Sequence, residues 1–336
     1  MKIKMRILKK LTDKDFKILN LTDPQLSDQE WRDGRDEGRL LKDTVTYLVN
    51  KVKPDLITIS GDLAWAGHYE SYSHLADLLD RFCIPWAPVF GNHDNQGGRE
   101  RVERAASILC QSRYCLLEQG DPKLGYGNYV VGIEEDGRLL HAIIFMDSHD
   151  RKPLIKEDGE EIMDWAELIP EQFVWYRETI ANLKSKGVRE TSLIMHIPLY
   201  TYRDAIHAAL KDGIDPATVS PANGEQVGCW NEGYEDSFGV MYEGICSYSK
   251  DNGFFEEIYR GESTKTVLCG HDHTNTFSVR YRGIRLMYGM KTGAGCYWNK
   301  QINGGTVLTI GSDGHMEAEH CFFVPPEGVK PYDIRE

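Results

Sequence analysis

Asp23, in the stretch NLTDPQL, closes an apolar run (FKILNLT) that reads as a buried strand. A carboxylate placed there has lost much of its water and needs a partner. The arrangement recurs along the chain. DLITIS is followed by Gly61 and Asp62, and WAPVF by GNHD, with Asn92, His93 and Asp94. SLIMH delivers His196, and TKTVLCG runs into HDH, with His271 and His273. Oxygen and nitrogen donors of these types suit divalent first-row metals. An H-x-H on an extended segment turns both rings to one face, or to two neighbouring ions.

Taken singly, each residue has an ordinary reading. Asp23 before a proline can close a turn or cap a helix. Asp62 after glycine is a common turn pair, and a lone His196 fits a hydrogen-bonded core histidine. Their conjunction points to metal chemistry, because open α/β sheets gather reactive groups where strands end. Gly61, Gly91 and Gly270 permit the tight turns this needs. His68, His74, His141, His149, His207, His315 and His320 share no such pattern and read as structural or surface residues. There is no G-x-S-x-G, no GxxxxGK[ST] and no GxGxxG opening a helix. The glycine-rich GMKTGAG, Gly289 to Gly295, reads as a turn beside the site.

Strands and helices must alternate to present these ends together. After FKILNLT, residues Leu41, Val45, Leu48 and Val52 share one face of a helix over about 37–53. DLITIS, the helix SHLADLLDRF, the strand WAPVF and the helix GRERVERAASIL continue a βαβαβ rhythm, which implies a parallel sheet covered by helices. NYVVGI and LHAIIFMD have no helix between them and are expected to pair as a hairpin. KEDGEEIMDW reads as an acidic loop, and PEQFVWYRETIANLKSK as a helix with proline in its first turn. The segments TKTVLCG, TFSVRY, IRLMYGM, TVLTI and MEAEHCFFV read as a second, largely antiparallel set. The expectation is one domain over 1–336 with two sheets and an insert at about 197–252. A stretch of that length with scarce periodicity is expected to be functional or disordered.

With 336 residues, 41% hydrophobic and 27% charged, the chain is globular with ample core. No apolar run reaches membrane-spanning length, and the basic N-terminus lacks a signal-peptide apolar block. Eight cysteines form no CxxC pair and no disulfide framework. Cys269 and Cys296 read as buried thiols, and the expected compartment is cytoplasmic. A net charge of −13 argues against binding nucleic acid through a broad basic surface.

The series DPQ, GDLAW, GNHD, MHIP and GHDH resembles, in order and spacing, the signature of the calcineurin-like metallophosphoesterases. The wider stretches resemble the subgroup related to purple acid phosphatases. The resemblance implies an α/β fold, a four-layer α/β/β/α sandwich with two central mixed β-sheets and a dinuclear metal centre. It puts Asp23, Asp62 and His273, with Gln25, at one metal. Asp62, Asn92, His196 and His271 fall at the other, with Asp62 bridging. Two divalent or trivalent ions are implied: Mn, Fe or Zn, with Mg suited to the Asp23 site. Such pairs share a hydroxide that attacks phosphorus, giving hydrolysis of a phosphomonoester or phosphodiester. His93 would then protonate the leaving oxygen or stabilise phosphoryl charge, and Asp94 would orient and charge that imidazole.

Gln25 departs from the family pattern, which commonly has histidine there. The purple acid phosphatases instead use a tyrosine three residues after the GD aspartate, where this chain has Trp65. A neutral amide oxygen is a weaker donor than imidazole to a transition metal, so the first site is expected to be looser or adapted to a harder ion. A non-catalytic scaffold with a degraded site is the alternative; the intact GNHD and GHDH oppose it. The expected substrate is a small-molecule phosphate ester or a phosphoprotein, with no membrane partner. Specificity is expected in the loops 147–167 and 200–252. Tyr200, Tyr202, Trp230 and Tyr234 are candidate contacts, or else residues that pack the insert onto the sheet.

Overall fold

The computed structural model describes residues 5–216 and 229–326. The chain opens with β1 (Met5–Lys9), β2 (Phe16–Leu21), α1 (Asp36–Val52), β3 (Leu56–Ser60), α2 (Tyr69–Asp80) and β4 (Trp86–Val89). A one-turn α3 (Asn92–Asn95) and α4 (Arg99–Leu109) lead to β5 (Tyr129–Glu135) and β6 (Arg138–Phe145). Then come β7 (Arg151–Ile155), β8 (Glu161–Trp165), α5 (Pro170–Ser185), β9 (Glu190–Ile194) and α6 (Tyr202–Ala209). The last elements are α7 (Phe254–Gly261), β10 (Thr264–Cys269), β11 (Ser278–Tyr281), β12 (Ile284–Tyr288), β13 (Gly304–Ile310) and β14 (Met316–Phe322).

These strands form two large mixed sheets, one of five strands in the order β14-β13-β2-β3-β4 and one of seven in the order β1-β5-β6-β9-β10-β12-β11. The strands that end in candidate ligands run parallel to their neighbours: β2 with β3, β3 with β4, and β9 with β10. Their C-terminal ends are therefore brought to one edge of each sheet. The period-2 alternation of β6 divides the layers. Ile143 and Phe145 join the core shared with the five-stranded sheet, while Ala142 and Ile144 join the core under α5, α6 and α7. Helices α1, α2 and α4 bury their apolar faces with the five-stranded sheet. The result is the four-layer α/β/β/α sandwich. Helix α1 buries Leu41, Val45, Leu48 and Val52, as their spacing predicts, and stops at Lys53 in the left-handed region (φ 53°).

Two histidines cross the seam between the sheets. His141 Nδ1, on β6, lies 2.9 Å from the Gly314 carbonyl in the β13–β14 turn. His320, on β14, lies 2.7 Å from the Thr276 carbonyl through Nε2 and 3.0 Å from Thr306 Oγ1 through Nδ1. Burial holds both imidazoles below their ordinary pKa, His320 down to about 4.

Two expectations are corrected, and one strand goes unannounced by the sequence. β1 has no apolar alternation to announce it; it is a short, half-exposed edge strand paired parallel with β5. KEDGEEIMDW is not a loop: its second half is β8, which pairs antiparallel with β7. The C-terminal strands are not one antiparallel set either. β10 pairs parallel with both β9 and β12 inside the seven-stranded sheet, and only β13 and β14 join the other sheet. The core-flanking part of the insert forms α6; residues 217–228 of it lie outside the described residues.

Candidate metal centre

The two sheets meet the site from opposite sides. Asp23, Asp62 and Asn92 follow β2, β3 and β4, whereas His196, His271 and His273 follow β9 and β10. All six are buried. His273 Nε2 is 3.3 Å from Asp23 Oδ1, and His196 Nε2 is 3.3 Å from Asp62 Oδ2 and 3.0 Å from Asn92 Oδ1. His271 Nδ1 lies 3.3 Å from His196 Nε2. Close approach is possible because Gly91 and Gly270 have no side chain. A Cβ at Gly91 would strike the Asp62 carboxylate, and one at Gly270 would strike Thr22 Oγ1 and crowd the Asp23 carboxylate. Asp23, Gln25, Asp62 and His271 also hold left-handed backbone, with φ of 53°, 42°, 49° and 82°. Non-glycine residues adopt this region at a cost, and such strain collects at functional sites.

The donor set fits metal ions. Ligand atoms of Asp23, Asp62 and His273 lie within 4.8 Å of one another. The 3.0–3.3 Å contacts around His196 match donors held about 2.1 Å from a common ion, which stand roughly 3.0–3.4 Å apart. Two imidazoles are set for ligation by their far side. His273 Nδ1 lies 2.7 Å from the Tyr297 carbonyl and His196 Nδ1 2.9 Å from the Ser60 carbonyl. Donation to those carbonyls leaves each Nε2 lone pair facing the carboxylates. Buried polar atoms also stand without partners: both amide atoms of Gln25, Nδ2 of Asn92 and Nε2 of His271. Orphans of this kind are rare unless a further group completes the site.

Electrostatics point the same way. Burial opposes charge on Asp23 and Asp62, yet His273 and His196 beside them hold both carboxyls below the usual range. Burial likewise disfavours a proton on His196, but the Asp62 charge outweighs it and lifts the imidazole to about 10. His271, buried and facing His196, is pressed down to about 3. The two buried carboxylates thus depend on neighbouring cationic groups, a demand that metal ions would also satisfy.

His93 sits at the start of α3, its N–H 2.9 Å from Asp62 Oδ1. Its Nδ1 meets Gln96 Oε1 at 3.1 Å, and Trp65 stands edge-on to its ring at 4.4 Å. The expectation that Asp94 orients this imidazole is not met. Asp94 instead accepts from Gly91 N at 2.8 Å, Leu63 N at 3.1 Å, Ala64 N at 3.3 Å and the Tyr72 hydroxyl at 2.8 Å. It ties the GD turn to the GNHD turn. Burial and the Asp62 charge push its carboxyl up to about 7 against those hydrogen bonds.

Lys291 was not foreseen. Its ammonium is buried and donates to the Asp23 carbonyl oxygen, and burial lowers it to about 8. The signal in the sequence was a single cation inside the otherwise uncharged GMKTGAG. That segment does lie beside the site: Thr292 N donates to the Thr22 carbonyl, and a Cβ at Gly295 would strike the Pro24 carbonyl.

The aromatic residues of the insert divide unevenly. Tyr202 is fully enclosed and donates to the Val267 and Met287 carbonyls, and Trp230 is buried in the same core. Neither offers a surface to a substrate; they pack the insert onto the sheet. Tyr234 is partly buried against that core, and Tyr200 lies under the Arg203 guanidinium at 4.9 Å.

A two-sheet α/β sandwich with carboxylates and imidazoles converging at its strand ends defines a class of metal-dependent hydrolases. Residues 16–275 match the calcineurin-like phosphoesterase family, and the chain belongs to it. It is 25% identical over 263 residues to probable inactive purple acid phosphatase 29 of Arabidopsis thaliana, a match over 70% of this chain and 59% of that protein. Probable inactive purple acid phosphatase 14 of the same plant is 26% identical over 331 residues, with 87% and 73% covered. Phosphatase DCR2 of Saccharomyces cerevisiae is 27% identical over 284 residues, with 79% and 44% covered. The chain thus spans little more than half of the first relative and less than half of the yeast protein. Among solved structures, a dimetal phosphatase from Danio rerio superposes with a TM-score of 0.50 at 12% identity, over 91% of this chain and 98% of that one. That likeness concerns the fold.

Proposed function

We propose that the centre holds two metal ions and hydrolyses a phosphomonoester or phosphodiester. In this reading Asp23, Asp62 and His273, with Gln25 as a neutral oxygen donor, hold one ion. Asp62, Asn92, His196 and His271 hold the other. When bound, the ions (Mn, Fe or Zn, or Mg beside Asp23) supply Lewis acidity toward phosphoryl oxygens and a water of lowered pKa. The observation that carries the reading is the convergence of six buried donors from two sheets, with His196 and His273 locked from behind by carbonyls.

The chain's own groups supply the rest. His93 is partly exposed, and Gln96 Oε1 accepts from its Nδ1–H, so the doubly protonated ring would hand its Nε2 proton to the departing oxygen. Asp94 acts as a positioning residue that fixes the turns bearing Asp62 and Asn92. The substrate is a small-molecule phosphate ester or a phosphoprotein. No disulfide joins the described cysteines, which supports a reducing, cytoplasmic setting.

The test measures bound metal in the purified protein and turnover of p-nitrophenyl and bis-p-nitrophenyl phosphate with and without added Mn. Two ions and metal-dependent turnover support the proposal. Retained metal with no turnover of either ester favours a non-catalytic scaffold, the reading that the name "probable inactive" of two relatives suggests.

A further inference from the structure

The β7–β8 hairpin belongs to neither large sheet. Its register sets Arg151 opposite Trp165, Pro153 opposite Met163 and Ile155 opposite Glu161, so these six residues share one face. That face is turned to water, with Ile155 70% and Met163 56% exposed. Apolar side chains left in a row on a small sheet mark a contact surface.

The row starts at the metal centre. Trp165 stands edge-on to His271, ring centroids 4.3 Å apart at 88°, and the Arg151 guanidinium lies 4.1 Å over the Trp165 ring. Asp150, at the base, is close enough to His93 and Asp62 to feel their charge, and its buried Oδ1 has no hydrogen-bond partner. The hairpin is also held in place. Asp164 accepts from Ser249 N at 3.0 Å and Ser249 Oγ at 2.7 Å, and Lys152 pairs with Glu167.

We propose that this face is the docking track of the centre and takes an extended phosphorylated peptide. The inference rests on the phosphoesterase reading and names its substrate class. Three residue pairs along the face span about 13 Å, the length of roughly four extended residues and more than a small metabolite fills. The hairpin tip then presents Glu157, Asp158, Glu160 and Glu161, with Lys156 paired to Glu160. An acidic tip on a chain of net charge −13 selects cationic residues and repels an anionic membrane. Recognition falls to the face, not to the edge. The bonds Ala166 N to Asp150 O and Lys156 N to Glu160 O set a ladder in which the Pro153 nitrogen faces outward, so the free edge lacks that donor. The preferred peptide therefore has apolar residues beside the phosphorylated one and basic residues about four positions away.

The test uses the whole metal-loaded protein and a fluorescein-labelled phosphoserine peptide with flanking leucines and with arginines four and five residues to either side. Binding is read by anisotropy, and p-nitrophenyl phosphate turnover is followed in parallel. Because Ile155 and Met163 are exposed, Ile155→Ser with Met163→Ser leaves the fold intact. That pair is expected to weaken peptide binding about ten- to thirtyfold while p-nitrophenyl phosphate turnover stays unchanged. Glu157→Lys with Asp158→Lys is expected to abolish the preference for the arginine-bearing peptide over one with glutamates in their place. Turnover of p-nitrophenyl phosphate without peptide binding overturns the track and leaves the phosphoesterase reading standing. Peptide binding that depends on Ile155 and Met163, without turnover of any ester, supports the track and sinks the phosphoesterase reading. Binding of phosphatidylcholine vesicles lost in the serine pair, with no peptide binding, also overturns the proposal.

Discussion

Asp94→Asn changes one atom at a residue that touches neither substrate nor His93, and its consequences can be worked out bond by bond. The carboxylate receives four donors, Ala64 N and Tyr72 OH on Oδ1, and Leu63 N and Gly91 N on Oδ2. An asparagine must turn its amide NH₂ to one of these pairs. The better choice is the Oδ1 side, because the Tyr72 hydroxyl can rotate to accept. The Ala64 N–H is then left buried and unpaired, and two charge-assisted bonds become neutral. An orphaned buried donor costs about 1–3 kcal/mol, and the lost charge assistance roughly another 1 kcal/mol. The sum, about 2–4 kcal/mol, corresponds to a melting point lowered by about 3–6 °C in a chain of this size. The GD and GNHD turns loosen together, so metal content should fall along with stability. Thermal unfolding and metal analysis of the variant check this. A variant that keeps its melting temperature and both metals, but shifts the pH dependence of turnover, would show that Asp94 works on His93 after all.

His93→Ala should leave metal content intact and lower turnover about 10²–10⁴-fold for esters with poor leaving groups, with a smaller loss for p-nitrophenyl phosphate. An equal loss across leaving groups would assign His93 to charge stabilisation. The ion beside Asp23 should be the first removed by a chelator, and Gln25→His should retain it at higher chelator concentration; metal stoichiometry across a chelator titration reads this directly. His320 carries the pH prediction. Its folded pKa of about 4 lies below the 6.5 of an ordinary imidazole, so the unfolded chain binds the extra proton between these values. Stability is unaffected above pH 6.5 and lost as pH falls toward 4, by up to about 3 kcal/mol. His320→Gln should flatten that slope in denaturant unfolding measured at pH 7, 6 and 5.

The parallel strands were legible because they are buried on both faces and therefore read as continuous apolar runs, each broken by a polar residue where burial ends. That break is what brought Asp23, Asp62, Asn92, His196 and His271 to notice. β7 and β8 leave no such trace, since a hairpin exposed on one face and half covered on the other mixes charge and apolar residues. Its acidic tip dominated the stretch. Which sheet β13 and β14 join is set by pairing with β2, about 290 residues away in sequence, and local pattern carries no word of it. Tyr202 shows a related limit. Its hydroxyl looks like a ligand contact in sequence, yet it serves two backbone carbonyls inside the core. Asp94 was misjudged through its neighbour: adjacency to His93 in sequence suggested a partnership that the turn geometry does not make.

Asp23, Asp62 and Asn92 ride on one sheet, and His196, His271 and His273 on the other. Neither half can gather a full ligand set before the two sheets have docked. Ions held there bind only the finished sandwich, so their binding energy is absent from a folding transition state in which the sheets are still apart. They should slow unfolding steeply while leaving the folding rate nearly unchanged. The centre would then set the protein's lifetime as well as its chemistry, with chelation shortening the one as it removes the other.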